Sequence, residues 1–171
     1  MSSSPFSRLD RLLRTLLPGL TVFLAVLLSV LPMGLPHLPV VMPFFTLMAI
    51  YYWTVTRPDL LAAPLMFLIG LLQDGLAGTP LGLSAIVFLS AHYFVITQRR
   101  LLAGQSFGLN WFGFSVCAVM AGALAWLIAC LFYLKLVPVT PSAVQTVLTI
   151  VLYPPLAWTF ALIHRVLPRP V

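Results

Sequence analysis

The sequence predicts an all-α integral membrane protein with six transmembrane helices in a single membrane domain spanning residues 1–171, and three observations predict it. Of its 171 residues, 61% are hydrophobic and 7% charged, against about 25% charged in an ordinary soluble domain. Mean hydropathy is +1.09, and the apolar residues fall into six runs close to the ~20 residues that cross a ~30 Å hydrocarbon core. The charges stand one to three at a time between those runs. A water-soluble globule is therefore excluded. So is disorder, because a chain with 12% aromatic residues and few charges collapses in water. The formal net charge of +6 could suggest nucleic acid, but the arginines form no patch interleaved with aromatics.

Residues 1–17 form an N-terminal segment in which 5–17 read as a short amphipathic helix. Phe6, Leu9, Leu12, Leu13 and Leu16 share one side at ~100° per residue, and Arg8, Asp10, Arg11 and Arg14 the other. It is either a helix lying on the membrane surface or the charged start of the first span. Basic residues before an apolar run also suit a signal peptide. No small-x-small cleavage site follows and five more spans do, so an uncleaved helix is expected.

The first span, about 18–33, ends at Gly34-Leu-Pro-His-Leu-Pro39, where prolines deny the donors a helix needs. Span two, about 40–56, closes with Tyr51, Tyr52 and Trp53, rings of the kind that settle at headgroup level. Arg57-Pro58-Asp59 forms a turn, with Asp59 at the positive end of the next helix dipole. Span three, about 60–76, is interrupted at Gly75-Leu-Ala-Gly78-Thr-Pro80. Span four, about 81–97, closes at Arg99-Arg100 and pairs with span three in a tight hairpin. After a polar loop at 101–110, span five runs about 111–134. A loop containing Pro138-Val-Thr-Pro141 precedes span six, about 143–163, which Pro154-Pro155 should kink.

Orientation follows from the bias of basic residues toward the cytoplasm. With the N-terminus inside, Arg8, Arg11, Arg14, Arg57, Arg99, Arg100, Arg165 and Arg169 are all cytoplasmic, and Lys135 alone is outside. Both termini are then cytoplasmic, and the outer loops (34–39, 76–81, 135–142) are very short.

The ionisable inventory is sparse for an enzyme: three Asp, no Glu and three His. Only Asp74 and His92 lie deep in spans. Insertion scales charge about 2.5–3.5 kcal/mol for an Asp at a helix centre, less near the interface. Gln73, the backbone donors of Gly75 and Gly78, or the start of span four could offset that cost. Asp74 is then either an acid stabilising its own hairpin turn or a site for a partner or ligand. His92, sharing a face with Ser84 and Phe88, reads as a packing or hydrogen-bonding residue. Ser84 and His92 stand ~12 Å apart on one helix, too far for a nucleophilic pair. Asp59 and Asp74 lie ~22 Å apart and cannot share a proton. Cysteine and histidine never reach metal-ligand spacing. Cys117 and Cys130, ~20 Å apart on one helix, cannot pair with each other. His37 and His164 read as residues at the solvent edge. No cofactor or metal is expected.

Small residues Ala121, Ala125 and Ala129 repeat every four positions on span five, with Ala118 and Gly122 alongside. Ala62, Met66, Gly70 and Asp74 form a stripe on span three. Both stripes suit close helix packing, within the chain or with a partner helix.

The run Gly70-Leu-Leu-Gln-Asp74-Gly-Leu-Ala-Gly78-Thr-Pro-Leu-Gly82-Leu-Ser-Ala, preceded by Arg57-Pro-Asp59, resembles the signature hairpin of the rod shape-determining protein MreD family. The matching positions are Gln73, Asp74, Gly78, Pro80, Leu81 and Gly82. The resemblance implies a multi-pass protein of the bacterial inner membrane, a non-enzymatic scaffold of the elongation (Rod) complex that guides lateral peptidoglycan synthesis. It implies direct partnership with the bitopic protein MreC, and in the wider complex MreB, RodA and a class B penicillin-binding protein. The family fold also looks similar to the S components of energy-coupling-factor transporters. That similarity leaves an alternative open, a small-molecule binding or transport protein using a cavity near Asp74.

Overall fold

A computed structural model describes the backbone of residues 5–30, 42–58, 61–102, 104 and 106–166, and the side chains of 18–30, 42–58, 61–101, 104 and 106–162. His37, Asp59 and the side chains of His164 and of the N-terminal amphipathic stretch lie outside the described residues. The described residues form six helices: α1 (Pro5–Val30), α2 (Phe45–Thr56), α3 (Ala63–Ala77), α4 (Leu83–Leu102), α5 (Phe107–Tyr133) and α6 (Val139–Val166). Sequential neighbours pack together along α3–α4–α5–α6, and α1 packs on α2 and α3. Of these, α5 and α6 are long and apolar enough to cross a membrane by length and composition, while Pro18–Val30 and α3 are shorter apolar segments.

Several sequence expectations are corrected. The stretch 5–17 is continuous with the first apolar run, Pro18 sitting inside α1. Helix α4 runs on to Leu102 and α5 starts at Phe107, so most of the expected 101–110 loop is helical. Helix α6 begins at Val139 and takes Pro141 into its first turn, where a missing N–H costs nothing. The largest difference is at α2. It begins at Phe45, and 12 residues extend only ~18 Å.

Helix α2 is the centre of the bundle, with residues 46–55 all buried and α1, α4, α5 and α6 around it. Tyr51, Tyr52 and Trp53 are accordingly core residues, at most 9% exposed, and not rings at a membrane interface. Tyr51 meets Phe114 and Tyr153 edge-on at 5.1 and 5.7 Å, and Phe114 stacks on Tyr153 at 3.9 Å. Aromatic chemistry suits either setting; enclosure by four helices decides it here.

The breaks in helical hydrogen bonding are closed by side chains from other helices. Ahead of α2, the Phe44 N–H donates to Thr149 Oγ1 at 3.0 Å, and Gln145 Nε2 donates to the Met42 carbonyl at 2.7 Å. In the last turn of α2, the Val55 carbonyl is reached by Arg99 Nε at 3.5 Å. Helix α6 continues through Pro154 and Pro155. Pro154 has no N–H for the carbonyl four residues earlier, and that carbonyl, of Ile150, accepts from Trp111 Nε1 at 3.1 Å.

Two glycines set helix separations. A Cβ at Gly70 would collide with the Ala85 backbone, and one at Gly122 with Thr146. The α3–α4 approach therefore depends on Gly70 having no side chain. Gly70→Val should destabilise the protein by about 1–3 kcal/mol through overpacking. Gly75→Ala, at a helical position with nothing within 4 Å of an added Cβ, should be neutral or slightly stabilising. Thermal unfolding of the two variants in detergent checks the contrast, and equal melting temperatures would refute it.

Candidate functional site

The α3–α4 turn brings the hairpin motif together around one carboxylate. Asp74, in the last turn of α3, is fully buried. Its Oδ1 accepts from the Thr79 hydroxyl at 2.8 Å and its Oδ2 from the Gly82 N–H at 2.8 Å. The Ser84 N–H lies 3.1 Å from both oxygens. Gly82 and Ser84 open α4, so Asp74 supplies acceptors for donors that a helix start leaves without intrahelical partners, and its charge faces the positive end of the dipole. Of the groups expected from the sequence, the start of span four fulfils the role, whereas Gln73 and the Gly75 and Gly78 N–H groups are not among the carboxylate's partners. The Thr79 hydroxyl was not foreseen, though a threonine five residues past an acid in a turn is a readable signal.

Backbone geometry completes the turn. Gly78 ends α3 in the left-handed region at φ 69°, its N–H on the Asp74 carbonyl, which also accepts from the Thr79 N–H at 3.2 Å. Gly82 has φ 99°, a conformation that side chains disfavour. Neither glycine has an atom within 4 Å of an added Cβ, so both are needed for their dihedral angles and Gly70 alone of the motif for close approach. The Pro80 carbonyl accepts from the Leu83 N–H at 3.1 Å. Leu81 projects outward, 76% exposed.

The stripe on α3 divides. Met66, Gly70 and Asp74 are buried, whereas Ala62 is exposed. On α5, Ala118, Ala121 and Gly122 are buried. Ala125 and Ala129 are half-buried and line a half-open cavity of about 380 Å³, bounded also by Gln73, Ser84, Trp126 and Pro141. Gln73 is 7% exposed, and its Oε1 is buried without a hydrogen-bond partner. His92 hydrogen-bonds through Nδ1 to Thr54 Oγ1 at 3.2 Å, joining α4 to α2. Among the described residues, no three His, Cys, Asp or Glu side chains cluster as metal ligands would.

The hairpin is thus held by an acid, two glycines in left-handed conformations and one glycine at a helix crossing. This is the segment that carries the family resemblance, and the family model for the rod shape-determining protein MreD matches residues 9–166. The chain belongs to the MreD family. No curated protein and no solved structure matches it. Membership makes it a membrane protein with a role in rod-shape determination, and MreD proteins are shape-determining structural proteins not known as enzymes.

Asp74→Ala leaves the Gly82 and Ser84 N–H groups without their acceptor and should cost about 2–4 kcal/mol. Asp74→Asn keeps one acceptor oxygen and should cost less. Gly82→Ala should cost about 1–2 kcal/mol through backbone strain alone. Hydrogen exchange at the Gly82 and Ser84 amides, read beside thermal unfolding, checks the assignment: unchanged protection in Asp74→Ala would show that these bonds do not hold the turn.

Proposed function

We propose that this protein is a non-enzymatic scaffold of the bacterial elongation complex, which partners MreC directly and guides lateral peptidoglycan synthesis. MreB, RodA and a class B penicillin-binding protein belong to the wider complex. The observation that carries the reading is the use of Asp74. The one carboxylate in the described helical core spends both oxygens on closing a turn, which is what a rigid framework requires. Exposed apolar side chains on α5 and α6, including Leu127, Leu131, Val151 and Trp158, supply faces for lipid or for a partner's transmembrane helix.

In this reading the chain crosses the inner membrane six times with both termini in the cytoplasm, as the distribution of arginines favours, in an arrangement like that of the S components of energy-coupling-factor transporters. Its short central helix is compatible with that topology, because non-helical backbone at membrane depth is tolerated where protein encloses it. The cavity beside Gln73 supports a second reading, small-molecule binding or transport, but Asp74 does not line it.

Depletion of the protein in its host should produce rounded or swollen cells, and MreC should co-purify with it from membranes before depletion. Rod-shaped cells together with no recovered MreC would overturn the scaffold assignment.

A further inference from the structure

The cavity of about 380 Å³ lies at the end of the bundle that carries the α3–α4 and α5–α6 turns. Helices α1, α3, α4, α5 and α6 and the segment leading into α2 border it. Its size falls within the roughly 300–1,000 Å³ of small-molecule sites. A helix about 10 Å across would fill it in about a single turn, which makes it a poor seat for a partner's transmembrane segment.

The described polar side chains in the wall are uncharged. Gln145 is engaged with the Met42 carbonyl. Ser142 donates to the Gly122 carbonyl at 3.4 Å, and Ser29 to the Ala25 carbonyl at 2.8 Å. Gln73 differs from them: it is more than nine-tenths buried, lines the cavity, and has an Oε1 with no hydrogen-bond partner. That oxygen is closed off from any occupant, so it is the NH₂ end of the amide that the cavity can reach. The NH₂ donates, and a hydroxyl oxygen accepts from it. Among the described lining residues there is no Asp, Glu, Lys, Arg or His side chain, so none of them compensates an ionic headgroup. Apolar surface from Phe44, Ala125, Trp126 and Ala129 suits a ligand with a hydrocarbon portion.

We propose that this cavity binds an uncharged, hydroxyl-bearing molecule anchored by Gln73. The hydroxyl comes either from a neutral lipid, such as a diacylglycerol, or from a soluble polyol. The assignment stands on the cavity alone and does not require the scaffold function.

The test uses the full chain in phosphatidylcholine nanodiscs with and without dioleoylglycerol, and separately with free glucose. Adducts are read by native mass spectrometry of the released protein. A one-to-one adduct is expected with one of the two probes, and which one identifies the source. Gln73→Leu should weaken it about tenfold, the scale of one lost hydrogen bond. Ala129→Trp should abolish it by filling the cavity, with helical circular dichroism retained in both variants. The proposal is overturned by no adduct with either probe, by an adduct that persists in Ala129→Trp, or by one indifferent to Gln73→Leu. Loss of MreC co-purification in Ala129→Trp without any adduct would assign the cavity to a partner's side chain and would equally overturn it. Failure here leaves the scaffold reading intact, since depletion and MreC recovery test that separately.

Discussion

Backbone groups left open where a buried helix stops must find partners within the protein, because an unpaired polar group away from water is costly. Asp74 is where that constraint is concentrated. The α3–α4 turn leaves donors open at the start of α4 and carbonyls open at the end of α3. One residue answers both: its carboxylate takes the Gly82 and Ser84 N–H groups and the Thr79 hydroxyl, and its carbonyl takes the N–H groups of Gly78 and Thr79. The cost of burying a carboxylate is offset by charge-assisted donors and the helix dipole. With the turn fixed, Gly70 can meet Ala85 across the hairpin, and α4 is placed to carry His92 to Thr54 on the central helix.

The same constraint explains how α2 can be short. Its preceding segment is pinned from α6 by Thr149 and Gln145, and the Val55 carbonyl near its end accepts from Arg99 of α4. Trp111 does for the Pro154 gap in α6 what those residues do for α2. In each case the break and its remedy lie on different helices, so the bundle is cross-linked where its helices are interrupted. The aromatic cluster of Tyr51, Phe114 and Tyr153 then fills the centre those links enclose.

Features that a single helix or turn encodes were legible in the sequence: the hairpin at 70–85, the buried stripe of Met66, Gly70 and Asp74, the face shared by Ser84, Phe88 and His92, and the anion at the start of α4. Features that depend on a distant partner were not. Thr149 and Gln145 act on residues 105 and 103 positions away, and nothing in local periodicity announces that. Tyr51, Tyr52 and Trp53 read as interfacial because their chemistry fits an interface; enclosure by four other helices is a property of the assembled bundle. Pro141 read as a loop residue because its tolerance in a first helical turn depends on where the helix starts.

Gln73 and Asp74 show why the motif identifies the family more readily than it reveals a mechanism. Successive residues on a helix diverge by about 100°, so Asp74 turns into the α4 start while Gln73 lines the cavity. Asp74 is satisfied by backbone and one hydroxyl, all within ten residues. Its role is therefore written into a contiguous stretch, together with the left-handed Gly78 and Gly82. Gln73 shares its cavity with residues of α5, α6 and the segment before α2, and its amide oxygen has no bond to report. A short sequence motif can encode a turn completely, but it holds only one wall of a cavity.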